Sequence, residues 1–436
     1  MRRMRTGSAT APASGEAPAG TVVGASAPPE QEPAAERAER AGTGGARGIW
    51  LLASGQASST VGDACYAVAL PWYVLSGHGG AAALGTALAA YGVARAAAMP
   101  VGGLLCDRLG ARRVMLTVDV LRAVLIGGLA VQATLGSLSL VTLVLFSALA
   151  GACQGAFVPG SYALLPAIAP AHLLQRANAA VTGALQAGTL AGPLVGAVLV
   201  ARAGPAAAFA LDAATFGISA FTLTLLRPKS DAVPPREQPT APKLRAVLAA
   251  TPALPIMLVV VLAGNLASGG VFAVALPVLA HQRFGTSGYG LLLAALAAGA
   301  VAGTTLGAWI HSRRPAVTAG RLFLAQAAAL ALLPVGGLAG AVLAAVAFGL
   351  ANAAGELTIV TALQRSFPPA ALGRIMGLVM LASAGAFPVS VALITTLVHT
   401  AGAAAAFPLA GAVTATAILF GLSRAAFRRF AAQPGT

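Results

Sequence analysis

The chain has 436 residues, 58% of them with hydrophobic side chains and only 9% charged, which is more apolar surface than a soluble core of that length buries. This composition marks a membrane protein. The formal charge of +15 does not signal nucleic-acid binding: aromatics make up 5% and no basic run is interleaved with stacking residues. A transmembrane barrel would alternate polar and apolar residues in short segments, whereas Leu140 to Ala150 is apolar on nearly every side, so the spans are helices.

Residues 1–47 are rich in Ala, Pro, Gly and Glu and read as a disordered cytoplasmic tail. A cleavable signal peptide would need an apolar region directly after Arg2, Arg3 and Arg5, but 6–20 is small and polar. Six spans follow, at 49–75, 81–105, 113–134, 138–163, 176–201 and 206–226. Six more run at 252–279, 288–310, 316–336, 338–363, 374–399 and 403–424, with only a Gly-rich turn signal at Gly336 to Gly340 between the ninth and tenth. The expected organisation is therefore an all-α membrane protein of 12 transmembrane helices. One six-helix bundle takes 48–227, a cytoplasmic linker 228–246, a second bundle 247–427 and a cytoplasmic tail 428–436. Most of the 27 Lys and Arg fall in the tails, the linker and alternate loops, so both termini are expected in the cytoplasm.

The second half repeats the first at an offset of 198 residues. Gly204, Phe209 and Leu211 align with Gly402, Phe407 and Leu409; Pro170, Leu174 and Arg176 with Pro368, Leu372 and Arg374; and Gly151 and Gln154 with Gly349 and Asn352. Two parallel repeats joined by a linker suit a substrate site between two bundles that rock against each other.

Between spans two and three stands Gly103-x3-Asp107-Arg108-x-Gly110-x-Arg112-Arg113. This resembles the loop motif of the major facilitator superfamily. The resemblance implies a gate latch, with the aspartate at a neighbouring helix end and the arginines holding the inner face shut. Gly188-x3-Gly192-Pro193-x2-Gly196 in span five is similar to a bend motif of antiporter members, where glycines permit close helix approach and proline bends the span. Gly62-Asp63 with Ala69 to Trp72, Asp119-x2-Arg122, Phe157-x-Pro159, Ala163 to Pro166 and Leu211 to Phe216 resemble the drug-exporter branch with macrolide efflux proteins and the enterobactin exporter. Two departures stand out. Gly151 occupies the place of an arginine that many drug/proton antiporters carry before the Gln-Gly pair, here Gln154-Gly155, and His311 replaces the aspartate in the second half's loop.

Ionisable side chains at bilayer depth cost about 2.5 kcal/mol or more on insertion scales and face a bundle interior or a wet cavity. Asp63 and Arg95 each lie 14 residues into a span, near the midplane, and are expected to pair or share a cavity, as coupling residues or as a structural lock. Asp119 and Arg122, three apart on one helix face, read as a structural ion pair near the latch. Asp212 is open between capping and function. Glu356, the only acidic residue in the second half's spans and without an obvious basic partner, is the leading candidate for proton or cationic-substrate binding. Gln154 and Asn352 are candidates for polar contacts in the same cavity. Tyr66, Tyr91 and Phe157 read as packing or cavity lining, and Trp50, Trp72 and Trp309 as interface anchors.

No HExxH, GxSxG or phosphate-binding GxxxxGK[ST] pattern occurs, so an enzyme or an ATP-driven pump is not expected. Cys65, Cys106 and Cys153 have no metal-ligand spacing, and no cofactor or metal is called for. The expectation is a secondary transporter of the cell membrane, monomeric as the resemblance implies, exporting an amphipathic small molecule such as an antibiotic or secondary metabolite by proton antiport. The alternative is a facilitator or proton symporter importing a nutrient. Export rests on the resemblance alone.

Overall fold

A computed structural model describes residues 34–77, 79–136, 139–169, 174–226, 251–310, 312–367 and 369–430. The expected linker, most of the expected tails, His78, His172, His311 and the side chains of Arg176 and Arg374 lie outside the described residues. Met1–Gly42 and Thr43–Thr436 are separate units, and the helix packing belongs to the larger one.

Twelve long helices are present among the described residues. The first half comprises α1 (Ala34–Leu75), α2 (Gly80–Leu109), α3 (Ala111–Leu135), α4 (Leu140–Ile168), α5 (Leu174–Ala203) and α6 (Pro205–Leu225). In the second half, α7 (Ala253–Arg283) contains a π-helical turn at Val271–Ala275. It is followed by α8 (Gly285–Trp309), α9 (Pro315–Leu332), α10 (Gly337–Ser366), α11 (Pro369–Ala401), α12 (Ala403–Ser423) and a single turn, α13 (Ala425–Arg428). Eleven of these are long and apolar enough to cross a membrane. The exception is α1, whose middle carries Ser54, Gln56, Ser58, Ser59, Thr60 and Asp63.

The helix of α1 begins at Ala34, inside the stretch expected to be disordered, because Ala34 to Arg40 is a run of Ala, Glu and Arg with high helix propensity. At the other terminus Phe427, the last residue of the expected bundle, and Phe430, within the expected tail, are buried in one cluster with Ala253, Leu254 and Leu363.

The repeat is visible in the helix starts and in the core. Gly204 precedes α6 with φ +79° and Gly402 precedes α12 with φ +83°, a left-handed backbone that a side chain would strain. Phe209 and Phe407, five residues on, are both fully buried. Hence each half forms a six-helix bundle, with α2 against α4 and α8 against α10 through glycines: a Cβ at Gly102 would collide with Ala156, and at Gly299 with Val346.

The bundles meet unequally along their length. Toward the end where α1, α5, α7 and α11 finish, one hydrophobic core spans both, joining Val68, Leu70 and Leu84 to Val274, Leu279 and Val391. Toward the end where α2 finishes, each bundle has its own core: Leu52, Met115, Leu164 and Leu223 in one, Leu254, Ala316, Leu363 and Phe427 in the other. We refer to these as the joined end and the latch end.

Candidate functional site

A cavity of about 370 Å³ lies at the seam of the bundles, directly below the joined end. Its polar wall is built by the first bundle, with Asp63 from α1, Arg122 from α3, Gln154 from α4 and Asp212 from α6. The rest of the lining is apolar or aromatic and comes from both bundles: Leu70, Leu88, Ile126 and Phe216 from the first, and Phe272, Leu293 and Phe387 with Tyr289 from the second, which adds no charge.

Each polar side chain reaches the cavity for a local reason. Asp63 is exposed although it sits in mid-helix, because it faces the cavity. Its neighbour Gly62 lies where α1 crosses α6, and a Cβ there would collide with Asp212 and Thr215. That close approach places the Asp63 and Asp212 carboxylates in one field. Asp212 is 1% exposed and its Oδ1 has no hydrogen-bond partner. Arg122, 5% exposed, has its guanidinium 4.7 Å from the ring centre of Phe216 and 5.5 Å from that of Phe157. Aromatic faces stabilise a desolvated guanidinium by about 0.5–2 kcal/mol each. The charge of Arg122 acts on Asp63 and on Asp212, and that of Arg95 acts on Asp63. Arg95 itself is half-buried, with its Nε unpartnered.

Of the residues singled out from sequence, the structure thus brings Asp63, Arg95, Asp212 and Gln154 together. Arg122 joins them unexpectedly. Its partner was expected to be Asp119, yet Asp119 Oδ2 accepts a 2.6 Å hydrogen bond from Ser219 and its Oδ1 has no partner. The expected two-membered pair is instead part of a wider network. Glu356 and Asn352 are not in the cavity lining: Glu356 is exposed and Asn352 half-buried, one turn apart on α10. Depth along a helix, which the sequence gives, does not report rotation about its axis. Trp72 is likewise no simple interface anchor. Its ring lies 4.8 Å from His281 and 6.4 Å from Tyr289, and Tyr289 Oη is 3.4 Å from the Ala67 carbonyl, so these side chains roof the cavity at the joined end.

The two glycine motifs act on helix packing. Gly188, Gly192 and Gly196 face α1, where a Cβ would press on Ala57, Ala64 and Cys65 in turn, and the Pro193 carbonyl comes up against Gly290 of α8. In the loop motif, Gly110 turns the chain between α2 and α3 with φ +86°. Arg112 donates through Nε to Leu223 O and through Nη2 to Thr224 O, both at 2.8 Å, clamping the carboxyl end of α6 within its own bundle. Asp107, Arg108 and Arg113 are exposed, and a Cβ on Gly103 would meet nothing within 4 Å.

Two helical bundles in parallel repeat around a charged seam cavity define a membrane transporter. The family model of the Major Facilitator Superfamily matches residues 52–391, and the chain belongs to that superfamily. Among curated relatives, the enterobactin exporter EntS of Citrobacter koseri is 32% identical over 306 residues, covering 68% of this chain and 72% of the relative. The same exporter from Escherichia coli O1:K1 is 30% identical over 289 residues, covering 64% and 68%. The fold is shared with the nucleoside transporter NupG (TM-score 0.68, 12% identity, 86% of this chain and 98% of that one). It is also shared with the human organic anion transporter MFSD10 (TM-score 0.57, 19% identity, 86% and 99%).

Proposed function

We propose that this transporter is a proton-coupled exporter of amphipathic small molecules, working by alternating access with both termini in the cytoplasm. The observation that carries this reading is the mixed cavity, largely apolar and aromatic from both bundles, with its charged groups Asp63, Arg122 and Asp212 all on the first bundle's side. An amphipathic molecule satisfies both walls at once, whereas a purely polar one would leave Phe272 and Phe387 against water and a purely apolar one would leave the charges unmet. Export is supported by the relatives, which are named as enterobactin exporters, and by the span-five bend motif at the α1–α5 contact. With the termini inside, the latch end faces the cytoplasm, and separate cores at that end suit a state open to it. Asp63 and Asp212 are the coupling carboxylates in this reading, with Arg95 and Gln154 as supporting contacts. Asn352 and Glu356 lie outside the cavity lining and have no part in this reading.

The test is accumulation of labelled enterobactin and of ethidium in inverted vesicles under an imposed pH gradient. Gradient-driven uptake is expected in the unmodified protein and is lost in Asp63→Asn and Asp212→Asn. Uptake indifferent to the gradient and to both substitutions would overturn the reading.

A further inference from the structure

On α6, Asp212, Thr215, Ser219 and Thr222 are spaced three, four and three apart, so they fall on one face, and all four are buried. Thr215 and Thr222 donate to carbonyls of their own helix, those of Asp212 and Ser219. Ser219 differs: its hydroxyl crosses to α3 and donates to Asp119 Oδ2. Asp119 is fully buried, and its Oδ1 lacks a partner. A carboxylate sealed from water with an oxygen unpaired is costly in an apolar span, and taking up a proton on that oxygen removes the charge.

The groups that face Asp119 are Arg122 on its own helix, Asp63 from α1, Cys153 from α4 and Ser219 from α6. Arg122 also serves Asp63 and Asp212. One guanidinium is therefore the shared counter-charge of three carboxylates, with Arg95 adding a second positive charge beside Asp63. Three acids against two guanidiniums leave one negative charge in surplus. Asp119 lies eight residues into α3, about 12 Å from its start, between the latch turn and the cavity.

We infer that Asp119 is a further proton-coupling residue, holding a proton on the latch side of the cavity, and that Ser219 is the residue that positions it. Uptake takes a proton from a hydronium ion that enters the cavity when the joined end opens, breaking its O–H bond and forming one at Asp119 Oδ1, while the Ser219 bond to Oδ2 persists. Release occurs in a conformation that admits water from the latch end: the O–H bond breaks, a water molecule takes the proton as hydronium and the carboxylate is restored beside Arg122. With Asp119 neutral, Arg122 is left to Asp63 and Asp212, so the proton changes the charge that a molecule in the cavity meets. This inference rests on the proton-coupled reading above.

The test compares unmodified protein, Asp119→Asn, Asp119→Glu and Ser219→Ala in inverted vesicles, with labelled enterobactin and ethidium as probes. Two readouts are taken: accumulation driven by a pH gradient, and counterflow of the same probe without one. The expected result is loss of gradient-driven accumulation in Asp119→Asn with counterflow retained, and both retained in Asp119→Glu. Gradient-driven accumulation that survives in Asp119→Asn overturns the inference alone, as does equal loss of both readouts. An unmodified protein that performs counterflow but ignores the gradient overturns the proton-coupled reading and this inference with it. If Asp119→Asn fails to insert, Ser219→Ala decides: a displaced pH profile of accumulation with counterflow intact supports the inference, and an unchanged profile overturns it.

Discussion

Gly62 shows how a missing side chain builds the site. The close crossing of α1 and α6 puts its Cα against Asp212 and Thr215, so the neighbouring Asp63 comes to share the field of Asp212 and Arg122. Gly62→Ala should destabilise the protein by about 1–3 kcal/mol through overpacking and should depress transport more than expression. Gly183→Ala and Gly217→Ala, where a Cβ meets nothing within 4 Å in mid-helix, should instead stabilise by about 0.5–1 kcal/mol. Thermal unfolding in detergent checks the contrast, and equal effects at all three positions would show that space at Gly62 is not the issue. The Gly62-Asp63 pair was legible as a signature. Its reason was not, because the colliding groups lie on a helix some 150 residues away.

Among the helices, α3 and α6 carry the connection between cavity and loop motif. α3 holds α6 twice from its own side chains, by Asp119 at Ser219 and by Arg112 at Leu223 and Thr224. The second hold places a cation on the carbonyls that a helix end leaves unsatisfied. Lysine keeps the charge but lacks the planar fork that reaches two carbonyls at once. Arg112→Lys should therefore cost about 1 kcal/mol of stability and speed hydrogen exchange at the end of α6. Exchange there that matches the unmodified protein would mean the charge alone suffices. A comparable hold exists in the second bundle, where Ser390 of α11 donates to Leu266 O and accepts from the Gly270 N–H at the start of the π-helical turn. That turn sets Phe272 and Ala273 on the cavity wall. The apolar pattern of α7 does not announce it, and the one signal in the chain is Pro277, which has no N–H to give to the Ala273 carbonyl within the turn.

For the molecule as a whole, apolar periodicity, glycine turns and the 198-residue repeat made the two bundles legible from the chain alone. The loop motif's position was legible too, although α2 runs to Leu109 rather than 105, because only the positive φ at Gly110 ends it. What the chain could not display is which charges meet. Asp63, Arg122 and Asp212 come from α1, α3 and α6 and converge only through packing, while Glu356 stood out by its isolation along the chain. Trp72 shows the same limit, since the end of a span can lie at a membrane interface or, as here, pack against the other bundle at the seam.

Alternating access at this seam is tested most directly by spin-label distances between α2 and α11, on a background with Cys65, Cys106 and Cys153 replaced. Labels at the exposed positions Thr86 and Thr396 report the joined end, and labels at Leu104 and Gly377 report the latch end. The structure predicts a short distance at the first pair and a longer one at the second in the resting protein. When a transported substrate or, on the proposed coupling, a pH change shifts the population, the first should lengthen as the second shortens. A joined end that stays closed under every condition supporting transport would contradict passage between the two bundles.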